Sequence, residues 1–356
     1  MPRLSPRLLK LAWKENPLLP LLLRACRDLN SARLELKWLR EHAQEMAKTK
    51  RCTPWKSLLH QFCRARSLGQ PIQYILGTEF FGELELICRP NVLIPRQDTS
   101  AWVLHLVEVL NKNAAQLPAN IKVLDLCTGS GCIPLLFAHA FTGLQASGST
   151  SLKLLGIDVS STAIELANRN KEEQLTPASE CTSKHLEFSQ ADIMSDDRSS
   201  SSSPPSLLKV LDDRGQLQWD IILSNPPYIS PEQFNRVTAR SVRKFEPKLA
   251  LVPESQHRRW SGAETGDVFY PRLLELARLL ESKVLVMEVG DLDQAKRVAS
   301  QALGDGRWYG VEIWRDEPRT PDEDEARHGC VRIRGRGNGR SVICWTEEVD
   351  TWFNTH

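Results

Sequence analysis

The chain has 356 residues, more than one typical domain of about 100–200 residues, and 41% of it is apolar, enough for a sizeable core. Its 46 basic and 44 acidic residues leave a formal charge of +2, which excludes a global field that would hold nucleic acid or a membrane surface. Nine scattered cysteines show no zinc-type spacing and fit a reduced compartment, so no metal ligands are expected; no run approaches the roughly 18 apolar residues of a membrane span.

The first fourteen residues carry Arg3, Arg7, Lys10 and Lys14 among leucines, with no acid before Glu15. That is the composition of an organellar transit segment and equally of a basic amphipathic helix. From Leu18 to about Leu68, leucines and tryptophans recur at spacings of three and four, so a small helical domain is expected over residues 1–70. One helix there is punctuated by Thr53 as cap, Pro54 in the first turn and Gly69 as stop. Residues 71–95 change to short apolar, Gly-broken pieces, Ile72–Leu76, Phe80–Phe81 and Leu84–Cys88, which suit a linker hairpin.

Residues 96–356 are expected to form the main domain. After a helix through Trp102–Leu110, strands are expected at Lys122–Leu126, Lys153–Asp158, Leu186–Gln190, Trp219–Ser224, Lys283–Val289, Tyr309–Trp314 and Ser341–Trp345. Helices fall between them, at Thr162–Asn170 and Phe269–Leu280 among others. This alternation implies an α/β fold with a largely parallel sheet covered on both faces. Thr142–Ser151 and the Ser/Pro run Ser195–Ser206 read as mobile surface insertions that add no core. Pro318–Arg340, with Arg332, Arg334, Arg336 and Arg340, reads as a solvated loop able to help dock a charged partner.

The chemistry is concentrated where strands end. Val123 to Leu126 runs straight into Cys127, Thr128, Gly129, Ser130 and Gly131, a glycine turn that opens a helix. Such a turn brings backbone amides close to a ligand. A dinucleotide fingerprint needs a third glycine where Pro134 stands, which weakens a nicotinamide reading. Asp125 lies just before the turn. Asp158 ends the next strand, about 27 residues on, and suits two ribose hydroxyls; Asp192, followed by Ile193, closes the third strand in the same way. A lone strand-end aspartate is more often a cap, but three acids along one sheet edge favour a nucleoside site.

The fourth strand ends in Asn225, Pro226, Pro227 and Tyr228. Two prolines fix the backbone and remove two donors, leaving carbonyls to accept. The Asn225 amide adds an acceptor and two donors, and Tyr228 offers a ring to stack on a plane. The four together suit an NH2 group on a planar substrate, with its nitrogen turned toward an electrophile. The motif alone does not choose between a nucleobase and a side-chain amide.

These residues resemble the HemK family of protein-(glutamine-N5) methyltransferases, from about Trp55 onward. The resemblance also rests on Gln70–Gly77, Val92–Arg96, Phe245–Ala250 and Glu288–Gly290. It implies a class I Rossmann-like fold of seven strands, S-adenosyl-L-methionine as cofactor, and methylation of the GGQ glutamine of a class I peptide chain release factor in support of translation termination. Asp125, Cys127–Gly131, Asp158, Asp192, Ile193 and Asn225 would hold the cofactor; Asn225, Pro226 and Tyr228 would act on the amide, with Pro227 beside it. The helical domain would help grip a bacterial-type or organellar factor and, with the basic start, implies a mitochondrial location, with no stable nucleic-acid or membrane partner. Three departures bear on cofactor packing: Ser100 replaces an acid, Cys127 a glycine, and Ile193 an aromatic residue. The rival readings are a DNA adenine-N6 methyltransferase, which would need a basic DNA cleft, and a non-enzymatic nucleoside-binding module.

Overall fold

The structure is a computed structural model that describes residues 4–49, 53–141, 151–174, 185–197, 203–253, 265–320 and 326–354. The chain divides into two units. One comprises Met1–Glu79, Cys88–Pro90 and Thr238–Glu246; the other comprises Phe80–Ile87, Asn91–Val237 and Pro247–His356.

The first unit is helical: α1 (Pro6–Glu15), α2 (Leu19–Cys26), α3 (Leu29–Thr49), α4 (Trp55–Ser67) and α5 (Ile72–Leu76). Along α3, Leu29, Ala32, Leu36, Leu39 and Ala43 are buried at alternating steps of three and four, one stripe of a 3.6-residue period. They meet Leu19, Leu22 and Leu23 of α2 and Leu58, Leu59 and Cys63 of α4. The basic start is an amphipathic helix in this core: Ala12 is fully buried, Leu8 and Leu9 pack against it, and Arg7, Lys10 and Lys14 are exposed. Glu35, almost buried on α3, accepts two bonds from Arg66 at 2.7 and 2.8 Å, and Arg66 also donates to the Gln70 carbonyl.

Two expectations change here. Pro54, not Thr53, occupies the cap position of α4, although Gly69 does follow the helix with φ +95°. Ile72–Leu76 is a helix rather than part of a hairpin, because Pro71 opens it and Gly77 closes it in the left-handed region. Arg240–Phe245 also belongs to this unit, with the Phe245 ring against Gly69. The two-stranded hairpin itself is β1 (Thr78–Phe81) with β2 (Leu84–Ile87).

The second unit carries the sheet. Its strands are β3 (Asn120–Leu126), β4 (Ser151–Asp158), β5 (Leu186–Gln190), β6 (Ile221–Ser224), β7 (Val284–Glu288), β8 (Gly310–Glu317), β9 (Arg327–His328), β10 (Val331–Arg334) and β11 (Arg336–Trp345). The spatial order is β5-β4-β3-β6-β7-β11-β8-β10-β9. The first five pair in parallel, and β11 runs antiparallel between β7 and β8. Seven of these strands, ending at β8, have the class I methyltransferase arrangement. Side chains alternate between two cores: Ile121 and Val123 of β3, with Ile221 and Leu223 of β6, face one, while Leu124, Leu126 and Ile222 face the other. Asp125 shares the face of Ile121 and Val123 by this alternation. All five parallel strands therefore end on one edge, and the reversal of order beside β3 opens a crevice there.

The tail read as a solvated loop is partly sheet. Val331 and Ile333 are buried while Arg332 is exposed, so Val331–Arg334 has a two-residue period and adds β10 beside β8; Arg336 and Arg340 lie in β11. Two of its arginines are structural: Arg334 donates to both oxygens of Glu312, and Arg340 pairs with Asp316 and Asp98. Residues 321–325 of that tail lie outside the described residues, as do residues 142–150 and 198–202 of the two expected insertions. The described end of the second insertion joins the fold: Ser206 is fully buried, bridges to Asp192, and caps the helix Leu207–Asp213.

Candidate active site

A cleft of about 300 Å³ lies at the carboxyl edge of the sheet, a volume at the small end of the small-molecule range. Its walls come from residues 91–96, the glycine turn, Asp158–Ser160, Ala191–Met194, Asn225, Pro227 and an apolar side that includes Leu249, Pro253 and Phe269. The turn follows β3 directly and opens α7 (Cys132–Ala140), with Gly131 at the cap at φ +78°. A Cβ there would meet the Phe188 ring at 2.7 Å, so both the conformation and the space require glycine. Cys127 also adopts φ +64°, in a position where a glycine would be unstrained.

Asp158 accepts the Gly129 amide at 2.9 Å through one oxygen and the Ser160 amide at 2.9 Å through the other. These two bonds tie the end of β4 to the turn after β3. Burial raises its pKa, and the backbone donors oppose that rise. Asp192 accepts the Met194 amide at 2.8 Å and stands on the cleft wall beside Ile193.

Asp125 is fully buried, and neither carboxylate oxygen has a hydrogen-bond partner among the described residues. Burial pushes its carboxyl up to about 8; the Thr128 hydroxyl lies close enough to moderate the shift but outside hydrogen-bond geometry. The Thr128 and Ser130 hydroxyls, buried on the cleft wall, lack partners too. Three orphaned buried polar groups around a strand-end turn fit the polar, cationic end of a bound cofactor, with Asp158 positioned for a ribose. The residues present thus suit S-adenosylmethionine: nucleoside groups along β4 and β5, an amino-acid end at the turn after β3.

Asn225 follows β6 and reaches the cleft wall, as does Pro227, while Pro226 is buried and Tyr228 half-buried. The Tyr228 hydroxyl donates toward Glu288 at 3.4 Å, so its ring is anchored at its far end. Gln294 donates to the Tyr228 carbonyl at 3.2 Å and to Asp267 at 2.8 Å, and Arg297 holds Asp267 from the other side. Gly266 passes beneath this strand end: a Cβ there would lie 2.2 Å from the Tyr228 oxygen. The backbone after Asn225 is thus clamped from β7 and the helix Leu292–Gly304.

Of the residues singled out in the sequence, Cys127, Thr128, Gly129, Ser130, Asp158, Asp192, Ile193, Asn225 and Pro227 line the cleft; Asp125, Gly131, Pro226 and Tyr228 do not reach its wall. No motif assigns a role to Thr99 or Glu288, yet Thr99 lines the cleft and Glu288 lies directly behind it. Thr99 accepts from Asn225 at 3.2 Å and donates to the buried Glu288 carboxylate at 2.7 Å. Their only sequence signal is membership of the Val92–Arg96 neighbourhood and the Glu288–Gly290 string.

The chain is 34% identical over 255 residues to the mitochondrial MRF1 N(5)-glutamine methyltransferase MTQ1 of Saccharomyces cerevisiae, covering 71% of this chain and 69% of that one. It is 31% identical over 313 residues to the Schizosaccharomyces pombe protein named "Probable MRF1 mitochondrial N(5)-glutamine methyltransferase mtq1", covering 85% and 90%. It is also 32% identical over 190 residues to the release factor glutamine methyltransferase of Chlorobaculum tepidum, covering 53% and 55%. Among solved structures it is similar to the N-terminal domain of human METTL16, at 16% identity and a TM-score of 0.41 over 80% of this chain and 82% of that one. No protein-family model matches. The chain belongs to the release factor N(5)-glutamine methyltransferase family.

Proposed function

We propose that this enzyme transfers a methyl group from S-adenosylmethionine to the side-chain amide of the GGQ glutamine in a class I peptide chain release factor. The observation that carries the reading is Asn225, presented by β6 on the wall of a cleft that also holds the glycine turn and Asp158. When bound, the cofactor supplies an electrophilic methyl carbon whose bond to sulfur breaks as the bond to nitrogen forms.

The protein's task is the nucleophile, because an amide nitrogen shares its lone pair with its carbonyl. The Asn225 oxygen, on the cleft wall, accepts one amide hydrogen, and the Pro226 carbonyl, between the two lining residues Asn225 and Pro227, accepts the other once the amide is seated past that wall, which holds the NH2 in place and stabilises positive charge developing on nitrogen. The clamp on the Tyr228 carbonyl keeps those acceptors from drifting. Glu288 already accepts from Thr99, Trp102 and Tyr228, so the amide proton passes to solvent after transfer.

Incubation with S-adenosylmethionine and candidate release factors, followed by peptide mass spectrometry, tests the reading. One added methyl on the GGQ glutamine is expected; methyl found only on duplex DNA would overturn it. Asn225→Ala should lower turnover by about 10²–10³-fold while cofactor affinity changes little. The relatives named as mitochondrial and the exposed Arg7, Lys10 and Lys14 of α1 support a mitochondrial factor as substrate. A reporter carrying α1 to α3 should enter mitochondria, and a reporter that stays in the cytosol counts against that location.

A further inference from the structure

We propose that Thr99 is a positioning residue that fixes which way round the Asn225 amide faces, presenting its oxygen to the substrate. The inference rests on the reading of Asn225 as the substrate holder. Thr99 is 1% exposed and Glu288 1% exposed, so solvent does not compete for their bonds.

Glu288 receives Thr99 Oγ1 at 2.7 Å and Trp102 Nε1 at 2.8 Å on one oxygen, and the Tyr228 hydroxyl at 3.4 Å on the other. All three are donors to an acceptor. The indole N–H can only donate, so that Glu288 oxygen accepts from it; being a carboxylate oxygen with no proton of its own, it accepts from the Thr99 hydroxyl as well. A hydroxyl has one proton, and that of Thr99 is committed to Glu288. Towards Asn225, 3.2 Å away, Thr99 can then only accept, so the amide must turn its NH2 to Thr99. The Asn225 oxygen is left for the cleft. Rotated by half a turn, the amide would set its oxygen against the Thr99 lone pairs and offer a donor to a substrate NH2, which needs an acceptor. A buried carboxylate thus passes its polarity through one hydroxyl to the group that meets the substrate.

The test is a double-mutant cycle on the full chain, read as kcat with release factor, with cofactor affinity measured by calorimetry using S-adenosylmethionine alone. Thr99→Val should lower kcat by about 10- to 100-fold with cofactor affinity unchanged within about threefold. In an Asn225→Ala background, the same substitution should cost less than about threefold more, because the group it orients is gone. Thr99→Ser, which keeps the hydroxyl, should recover most of the lost rate, and it stands in if the valine variant does not fold. Multiplicative losses in the cycle, or a serine variant as slow as the valine one, would overturn the proposal. If wild-type enzyme fails to methylate any release factor, the functional reading fails instead.

Discussion

Asp125 carries a pH dependence that can be worked out from its burial. With its carboxyl pushed up to about 8, the free protein holds a proton there at neutral pH. Asp125 stands behind the cleft wall next to Thr128, and a cationic ligand in the cleft favours its ionised form, so binding of S-adenosylmethionine is expected to release that proton. Affinity should therefore rise as pH is raised toward about 8 and level off above it. In Asp125→Asn the slope should vanish and binding weaken; titration calorimetry across that range reads both. An unfolded aspartate titrates near 3.9, so between about 4 and 8 the folded state holds a proton that the unfolded chain does not, and the Asp125 contribution to stability falls as pH rises through that window. Cys127 offers a contrast of backbone origin. At φ +64° a β-branched side chain is strained, so Cys127→Val should lose about 1–2 kcal/mol in denaturant melts, while Cys127→Gly should be close to neutral. Strand-end acids and the glycine turn are visible in sequence because each sits beside a run of apolar residues. The Thr99–Asn225 bond joins residues 126 apart, and nothing local encodes it.

Elements were legible where burial on both faces writes a long apolar run. The seven strands expected from sequence are present because Leu154, Ile222 or Val286 needs no alternation to signal a buried strand. β9 and β10 escaped because they are short and arginine-rich, and the pairing of Arg334 with Glu312 that neutralises one of them depends on a strand 22 residues away. Ile72–Leu76 failed for the opposite reason: five residues, mostly apolar, are too few to show a period, and only the bracketing Pro71 and Gly77 distinguish helix from strand. Within the helical unit, the Glu35–Arg66 pair joins α3 to α4 with both side chains mostly buried. Arg66→Met should cost about 2–4 kcal/mol, because it leaves a carboxylate without its partner. Replacing Glu35 by Leu in the same chain should return part of that loss, as a double-mutant cycle of thermal unfolding would show.

For the whole molecule, composition excluded more than it specified. Near-balanced charge made duplex DNA an unattractive substrate, and the family relationship now points the same way. The order of the sheet has a consequence for synthesis. β11 is the last strand to be made, yet it belongs between β7 and β8, which have no contact of their own in the sheet order. Until Trp345 has been translated, both strands keep an open edge, and such edges recruit other chains. Nascent chains arrested before Arg336 should therefore be cut readily by protease and prone to aggregate, and arrest beyond Trp345, clear of the ribosome, should restore resistance. Resistance already present in the shorter chains would show that the sheet closes without its last strand. The strand β11 thus acts as a keystone, since the sheet closes between β7 and β8 only after every other strand in its order has been made.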